Sequence, residues 1–239
     1  MTVGYDIYSP QGKLLEFNMQ EVTIPGRSTD TVRFTPFIYG TNANKWEPGA
    51  KNPPLYKVML FTRRDGAYRE YMPLKIGFGK TELVDGRLTR FDKELKLVKA
   101  GYNAAADRKT TLAELKTLKA KGNNTICPDY PQPGWFYDLC DELGLYVIDC
   151  ANINAPEKRD DRKVGGTPSN DPSLADEYLE RVKAMYYRSR NHSCVIAFAL
   201  GGESGNGYNM YKAYEWLKSV EKSRPVICAD ADGEWNSDL

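Results

Sequence analysis

The chain has 239 residues, 41% hydrophobic and 27% charged, an ordinary globular composition long enough for one large domain or two smaller ones. Thirty-three basic against 32 acidic residues leave a net charge of +1, so neither nucleic acid nor an anionic membrane is indicated as a partner. No apolar run approaches the roughly 20 residues needed to span a bilayer.

The opening residues, Met-Thr-Val-Gly-Tyr-Asp, are strand-like and carry no secretory signal, which leaves the compartment open. Residues 1 to about 80 read as β structure. Candidate strands are Val3–Tyr8, Leu14–Phe17, Glu21–Ile24, Thr31–Ile38, Leu55–Thr62 and Tyr68–Ile76. Turn signals at Ser9-Pro10-Gln11-Gly12, Pro25-Gly26 and Arg63-Arg64-Asp65-Gly66 separate them. Short strands at this spacing, with no helical period between them, predict an antiparallel sandwich with Tyr5, Phe34, Phe37, Tyr56, Phe61 and Tyr71 in its core.

The pattern changes after a linker-like passage, Gly77 to Asp92. Leu95–Val98 reads as a strand, followed by a helix capped at Thr110 or Thr111, with Glu114 as capping-box partner, and stopped by Gly122. Asn124–Cys127 is a second strand, and a helix runs from Pro133-Gly134 to Gly144. Leu145–Ile148 is a third strand, and a long helix covers Leu174 to about Ser189. Val195–Leu200 is a fourth strand, a helix marked by Met210, Tyr214 and Leu217 follows, and Val226–Cys228 begins a fifth. Strand and helix alternating four times call for parallel strands joined by right-handed crossovers. A closed barrel needs eight such units over about 250 residues, so this reads as half a barrel and one strand more. The expected division is 1–80 for the sandwich and 81–239 for the barrel half.

Arg190 to Gly207 organises the second half: a polar opening, six apolar residues from Val195 to Leu200, and a glycine-rich loop holding Glu203. A wholly apolar run bounded by turn signals is a strand buried on both faces. A carboxylate just past the C-terminal end of such a strand is where α/β barrels keep their chemistry, so Glu203 is the first candidate. The glycines fit neither G-x-G-x-x-G nor a P-loop, and Ser204 is no nucleophile elbow. Cys127, Cys140, Cys150, Cys194 and Cys228 are an odd set without C-x-x-C spacing and are expected as buried free thiols. His192, the one histidine, is expected to be structural, which makes a Cys/His zinc site improbable. The acidic tail (Asp230, Asp232, Glu234, Asp238) reads as an exposed loop, and Trp135 as core.

Several motifs together carry a resemblance. Arg190-Asn191-His192 before the apolar strand, Leu145 to Ile153, Cys127-Pro128-Asp129-Tyr130-Pro131, Gly101-Tyr102-Asn103, Asp6 to Lys13 and Lys75-Ile76-Gly77-Phe78 occur in the order found in glycoside hydrolase family 2. The chain is therefore similar, over essentially its whole length, to the family of β-galactosidases and β-glucuronidases. The resemblance implies an immunoglobulin-like β-sandwich followed by a partial (βα)8 TIM barrel, and a retaining glycosidase acting on terminal β-galactosides or similar β-glycosides. Glu203 matches the family's general acid/base, and Asn152 an asparagine at the active-site end of strand three. Asn103, Asp129, Tyr130, Gly202 and Tyr208 are the further candidates for the carbohydrate-binding pocket. Retaining hydrolysis needs one carboxyl group that protonates the leaving oxygen and then deprotonates water, with a second about 5–5.5 Å away as nucleophile. The first must be kept protonated, which burial or a like charge can do.

Departures from the family pattern are Gly202 for an asparagine, Asp129 for a histidine, Cys150 for a glutamate, Ala104-Ala105-Ala106 for a polar segment, and Pro156 near a histidine. No cofactor is expected; a divalent cation occurs in the family, but its ligands cannot be placed here. The family's nucleophile lies on strand seven, so the chain reads as an internal piece, inactive alone. A non-catalytic carbohydrate-binding relative is the alternative. Relatives are often exported. A half-barrel leaves strands one and five with unpaired edges, which predicts homo-oligomerisation through them or exposed apolar surface.

Overall fold

Alternating Val3, Tyr5 and Ile7 make β1 (Thr2–Tyr8) a strand with one face to cover, and Tyr5 and Ile7 are buried. The Ser9–Gly12 turn leads into β2 (Leu14–Glu21), antiparallel to β1. On the other side of β1 lies β3 (Tyr56–Arg64), which Asp65-Gly66 turns into β4 (Ala67–Ile76), for a sheet order β2-β1-β3-β4. The computed structural model describes residues 1–49 and 52–239, and these divide into two units: 1–46 with 53–78, and 47–52 with 79–239.

Three expectations for the first unit are corrected. Leu14–Phe17 runs on to Glu21 as one strand, because polar Asn18 and Gln20 keep pairing with Tyr5 and Val3, and Val22–Ile24 lies outside it. Thr31–Ile38 forms no strand, since no neighbour offers it a ladder; it reaches the sheet through Phe34, edge-on to the Tyr5 ring at 5.0 Å. Of the expected core aromatics, Tyr5, Tyr56 and Phe61 are buried, whereas Phe37 and Tyr71 are exposed.

In the second unit, the passage read as a linker is a small antiparallel sheet of β5 (Thr81–Val84), β6 (Arg87–Arg90) and β7 (Lys93–Glu94). Asp85-Gly86 turns β5 into β6 with both residues at positive φ, the two-residue hairpin signal that polar surroundings concealed. The first parallel strand, β8, is Lys99–Tyr102 rather than Leu95–Val98. Apolar Leu95 belongs instead to the small sheet, where its amide donates to Leu88, while Lys99 to Tyr102 pair with Thr125 to Pro128.

From β8 the chain alternates as expected: α1 (Arg108–Ala120), β9 (Thr125–Pro128), α2 (Gly134–Leu143), β10 (Tyr146–Cys150), α3 (Ala175–Ser189), β11 (Val195–Ala199), α4 (Tyr208–Val220) and β12 (Val226–Ile227). The five strands are parallel and stand in sequence order, β8 to β12. Successive helices touch one another, α1 with α2, α2 with α3 and α3 with α4, so the crossovers lie on one side of the sheet. An order without reversal is the winding of a barrel, not of a doubly wound sheet. All of β10 and most of β11 are buried, which explains why both read as continuous apolar runs.

The helix ends show how local chemistry sets boundaries. The cap of α1 is Asp107, not Thr110 or Thr111: its carboxylate accepts the Lys109 and Thr110 amides at 2.9 and 3.0 Å. Glu114 serves no capping box and instead accepts the Tyr102 hydroxyl at 2.6 Å. Gly144 ends α2 in the left-handed conformation, φ 66°, as its position predicts. No helix among the described residues is long and apolar enough to cross a membrane.

Candidate active site

The C-terminal ends of β9, β10 and β11 open onto a cavity of about 390 Å³, within the range of small-ligand sites. Strand residues Cys127, Ile148, Cys150 and Ala199 line it, together with Pro128 and the loop residues Asp129, Asn154, Gly202 and Glu203. Ile148 and Cys150 share one face of β10 by alternation. Burial first, then the Asp149 and Asp129 charges, push the Cys150 thiol up to about 12. Burial likewise raises Cys127 above its ordinary value.

Glu203 stands in the loop after β11, and the main chain around it is held on every side. The Gly202 amide donates to the Ile153 carbonyl at 2.9 Å, and the Ala155 amide to the Glu203 carbonyl at 3.0 Å. The Ser204 and Gly205 amides donate to Asp230 Oδ2 at 2.9 and 2.7 Å. The Ser204 carbonyl accepts the Thr167 and Ser169 hydroxyls at 2.9 and 2.6 Å. Gly205 has φ +68°, and a Cβ there would come within 2.5 Å of the Arg159 carbonyl, so this position demands glycine. The Glu203 side chain is 69% exposed, and Arg159 Nη1 lies 3.3 Å from its Oε1. The side chain is thus largely in solvent, and the charged group facing it is a cation.

The expected site residues divide. Asp129, Gly202 and Glu203 line the cavity. Tyr130 reaches it through Asn154, whose Nδ2 donates to the Tyr130 hydroxyl at 3.0 Å. Asn152 is exposed and is engaged through its carbonyl, which accepts from Arg181 at 2.7 Å; Asn154, two residues on, lines the cavity instead. Asn103 offers its carbonyl to Gln132 at 3.0 Å, and Tyr208 lies exposed at the start of α4 with its amide on Asn170. Neither of these two is among the cavity-lining residues. A Cβ at Gly202 would stand 3.6 Å from Asn154 Oδ1, an ordinary contact, so the backbone there tolerates a β-carbon.

Asn154, Arg159 and Asp230 were not foreseen. The last two meet across 71 residues of sequence, a separation that leaves no local pattern. Asp230 also corrects the acidic tail, which folds in as a clasp and leaves Asp232 alone of its four carboxylates exposed. Asp230 is buried, and Tyr211 and Tyr214 donate to Glu234 and Asp238 at 2.6 and 2.7 Å. Arg162 pairs with both Asp232 and Glu234. Asp238 accepts the Val226 amide and donates its own amide to the Val226 carbonyl, covering the outer edge of β12. The expected open edge at strand five is thereby taken.

At the opposite end of β11, His192 Nδ1 lies 2.7 Å from Asp141, whose other oxygen accepts the Cys194 amide at 2.7 Å, the structural role expected of this histidine. Among the described residues, Asp141, His192 and Cys194 form the one cluster of three groups able to hold a metal, and they lie away from the cavity. The five cysteines are free thiols, all but half-buried Cys127 fully buried. Trp135 is half-buried.

Comparison with known proteins gives a consistent assignment. The model of the TIM barrel domain of glycosyl hydrolases family 2 matches residues 101–238. A β-galactosidase of Vibrio cholerae is 34% identical over 185 residues, covering 73% of this chain and 18% of that protein. One of Lactococcus lactis is 36% identical over 190 residues, with coverage of 73% and 18%. The chain thus spans about 18% of the length of the curated relatives it matches. Among solved structures, a putative β-galactosidase from Bacteroides fragilis matches with TM-score 0.78 at 18% identity, over 95% of this chain and 33% of that one. A β-glucuronidase from Parabacteroides merdae matches with TM-score 0.74 at 18% identity, over 95% and 30%. At such identities the structural matches speak for the fold alone.

Proposed function

The chain belongs to glycosyl hydrolase family 2, and from this we propose that it is part of a retaining glycosidase acting on terminal β-galactosides or related β-glycosides. One observation carries the reading: Glu203 follows the C-terminal end of β11 and lines a cavity at the strand ends, where barrel enzymes place their chemistry. In this role the Glu203 carboxyl protonates the glycosidic oxygen as the bond to the sugar breaks, then takes a proton from the water that releases the sugar. Asp129, Tyr130 and Asn154 supply polar contacts to sugar hydroxyls, and Gly202 leaves room for them. No step is assigned to a metal ion.

In the same reading, the antiparallel sheet of residues 1–78 belongs to an immunoglobulin-like sandwich. The five parallel strands are then the first part of an eightfold barrel, whose seventh strand brings the nucleophilic carboxylate. The chain by itself is accordingly inactive. A second reading, a non-catalytic carbohydrate-binding relative, is favoured by the Glu203–Arg159 pair, which puts a guanidinium against the proposed acid.

The test is hydrolysis of a chromogenic aryl β-galactoside by this chain and by a full-length parent, each with Glu203→Gln. The proposal expects no turnover by the chain, turnover by the parent, and a loss of at least about 100-fold in the parent variant, the usual worth of a positioned acid/base. An active parent that tolerates Glu203→Gln would remove Glu203 from the chemistry. A parent that binds galactosides without cleaving them would establish the second reading.

A further inference from the structure

We propose that Asp230, acting through Arg159, is the positioning residue of Glu203; this rests on the reading of Glu203 as acid/base. Asp230 lies just past the end of β12, and its side chain is 8% exposed although it is a carboxylate. Both of its oxygens are committed. Oδ2 takes the Ser204 and Gly205 amides, the two that follow Glu203 in the chain. Oδ1 takes Arg159 Nε at 2.9 Å and also Nη2, so two donors of the guanidinium are anchored on one carboxylate oxygen. The remaining terminal nitrogen of Arg159, Nη1, faces Glu203 Oε1. One buried carboxylate therefore sets the main chain beside Glu203 and the cation at its side chain.

The need for such a device follows from exposure. A glutamate with most of its side chain in solvent has many rotamers, whereas an acid/base group must be held within hydrogen-bond reach of one oxygen. The loops that follow β10, β11 and β12 supply Arg159, Glu203 and Asp230 respectively, so three adjacent strand ends converge on one carboxyl. Asp230 is not among the cavity-lining residues and meets Glu203 through these contacts, which makes it a positioning residue and not a catalytic one.

The test is solution NMR on the labelled chain and needs no turnover. The Glu203 side-chain carboxyl carbon is assigned by its disappearance in Glu203→Gln. Asp230→Asn is expected to speed exchange of the Ser204 and Gly205 amides by about tenfold or more, since a protected amide exchanges through local opening. Asp230→Asn and Arg159→Gln are both expected to move the Glu203 carboxyl signal, while Arg159→Lys, which keeps the cation, leaves it near the native position. If Asp230→Asn fails to fold, the two Arg159 variants decide alone. A Glu203 signal unmoved by Arg159→Gln, or moved equally by Arg159→Lys, overturns the proposal. Retained hydrolysis by a parent carrying Glu203→Gln would overturn the acid/base reading while leaving these spectra as they are, so the two failures are distinguishable.

Discussion

Asp149, on β10, is fully buried and met by four donors. The Tyr137 hydroxyl lies at 2.6 Å, the Cys150 amide at 3.1 Å, Arg188 at 2.8 Å, and the Ser189 hydroxyl completes the set. Removing one member of a buried ion pair leaves the other uncompensated, so Asp149→Ala is expected to cost about 3–5 kcal/mol. Tyr137→Phe should cost only about 1 kcal/mol. Denaturant titration of both variants checks this, and equal losses would show that the network is not centred on Asp149. Sequence comparison could place Asp149 in a motif but not its donors, because Tyr137, Arg188 and Ser189 come from two different helices. A second prediction concerns acid. Burial raises Asp230, but the Ser204 amide, Arg159 and the Gly205 amide outweigh it and leave the carboxyl below its ordinary 3.8. Burial likewise raises Asp238, which the Val226 amide, Lys218 and Tyr214 bring below the same value. A depressed folded-state value means stability that is present above 3.8 and is lost as pH falls through the lower value. Buried Asp141 runs the other way, since burial outweighs His192 and the Cys194 amide and holds its carboxyl above the ordinary value. Melting temperature should thus fall below about pH 4, and Asp230→Asn should weaken that dependence; an unchanged slope would refute the assignment.

At the scale of elements, boundaries were legible where a residue's backbone preference sets them. Gly144 is one case: its left-handed conformation costs a side-chain-bearing residue about 1–2 kcal/mol, the loss expected for Gly144→Val by thermal or denaturant unfolding. Boundaries were missed where a partner elsewhere decides. The Leu95–Val98 run is more apolar than Lys99–Tyr102, yet the second is the strand, because Lys99 and Tyr102 have Thr125 and Pro128 to pair with. Thr110 and Thr111 suit a helix cap, but Thr111 is buried inside α1 and Asp107 takes the role. In the other direction, Asp85-Gly86 carried a hairpin signal strong enough to be read, set between polar strands that disguised it.

For the whole molecule, the five-stranded sheet has two ends of unlike character. The Asp238 main chain and carboxylate occupy Val226 at the outer edge of β12. β8 is the terminal strand on the other side. We expect association to proceed through β8 and not through β12, since an end strand is a template for pairing. Light scattering should then show mass rising with concentration, and Asp238→Ala, which frees the Val226 amide at the edge of β12, should increase it. A single monomeric mass at all concentrations, without binding of an apolar dye, would refute this expectation.

What the amino-acid sequence determined by itself was the periodic part of the protein: the alternating strands of the first unit, the strand–helix alternation from β8 onward, and the position of Glu203 beyond a buried strand. Those features are written in residues close together in the chain, through side-chain alternation, apolar runs and glycine stops. The tertiary structure alone decided which polar groups meet. Asn154 takes the place expected of Asn152 in the cavity, Arg159 faces Glu203, and an acidic tail that looked solvated folds in to hold both the loop and the edge of β12. These contacts join segments up to about 70 residues apart. Their partners are selected by where parallel strands end in space, a quantity that no local pattern encodes.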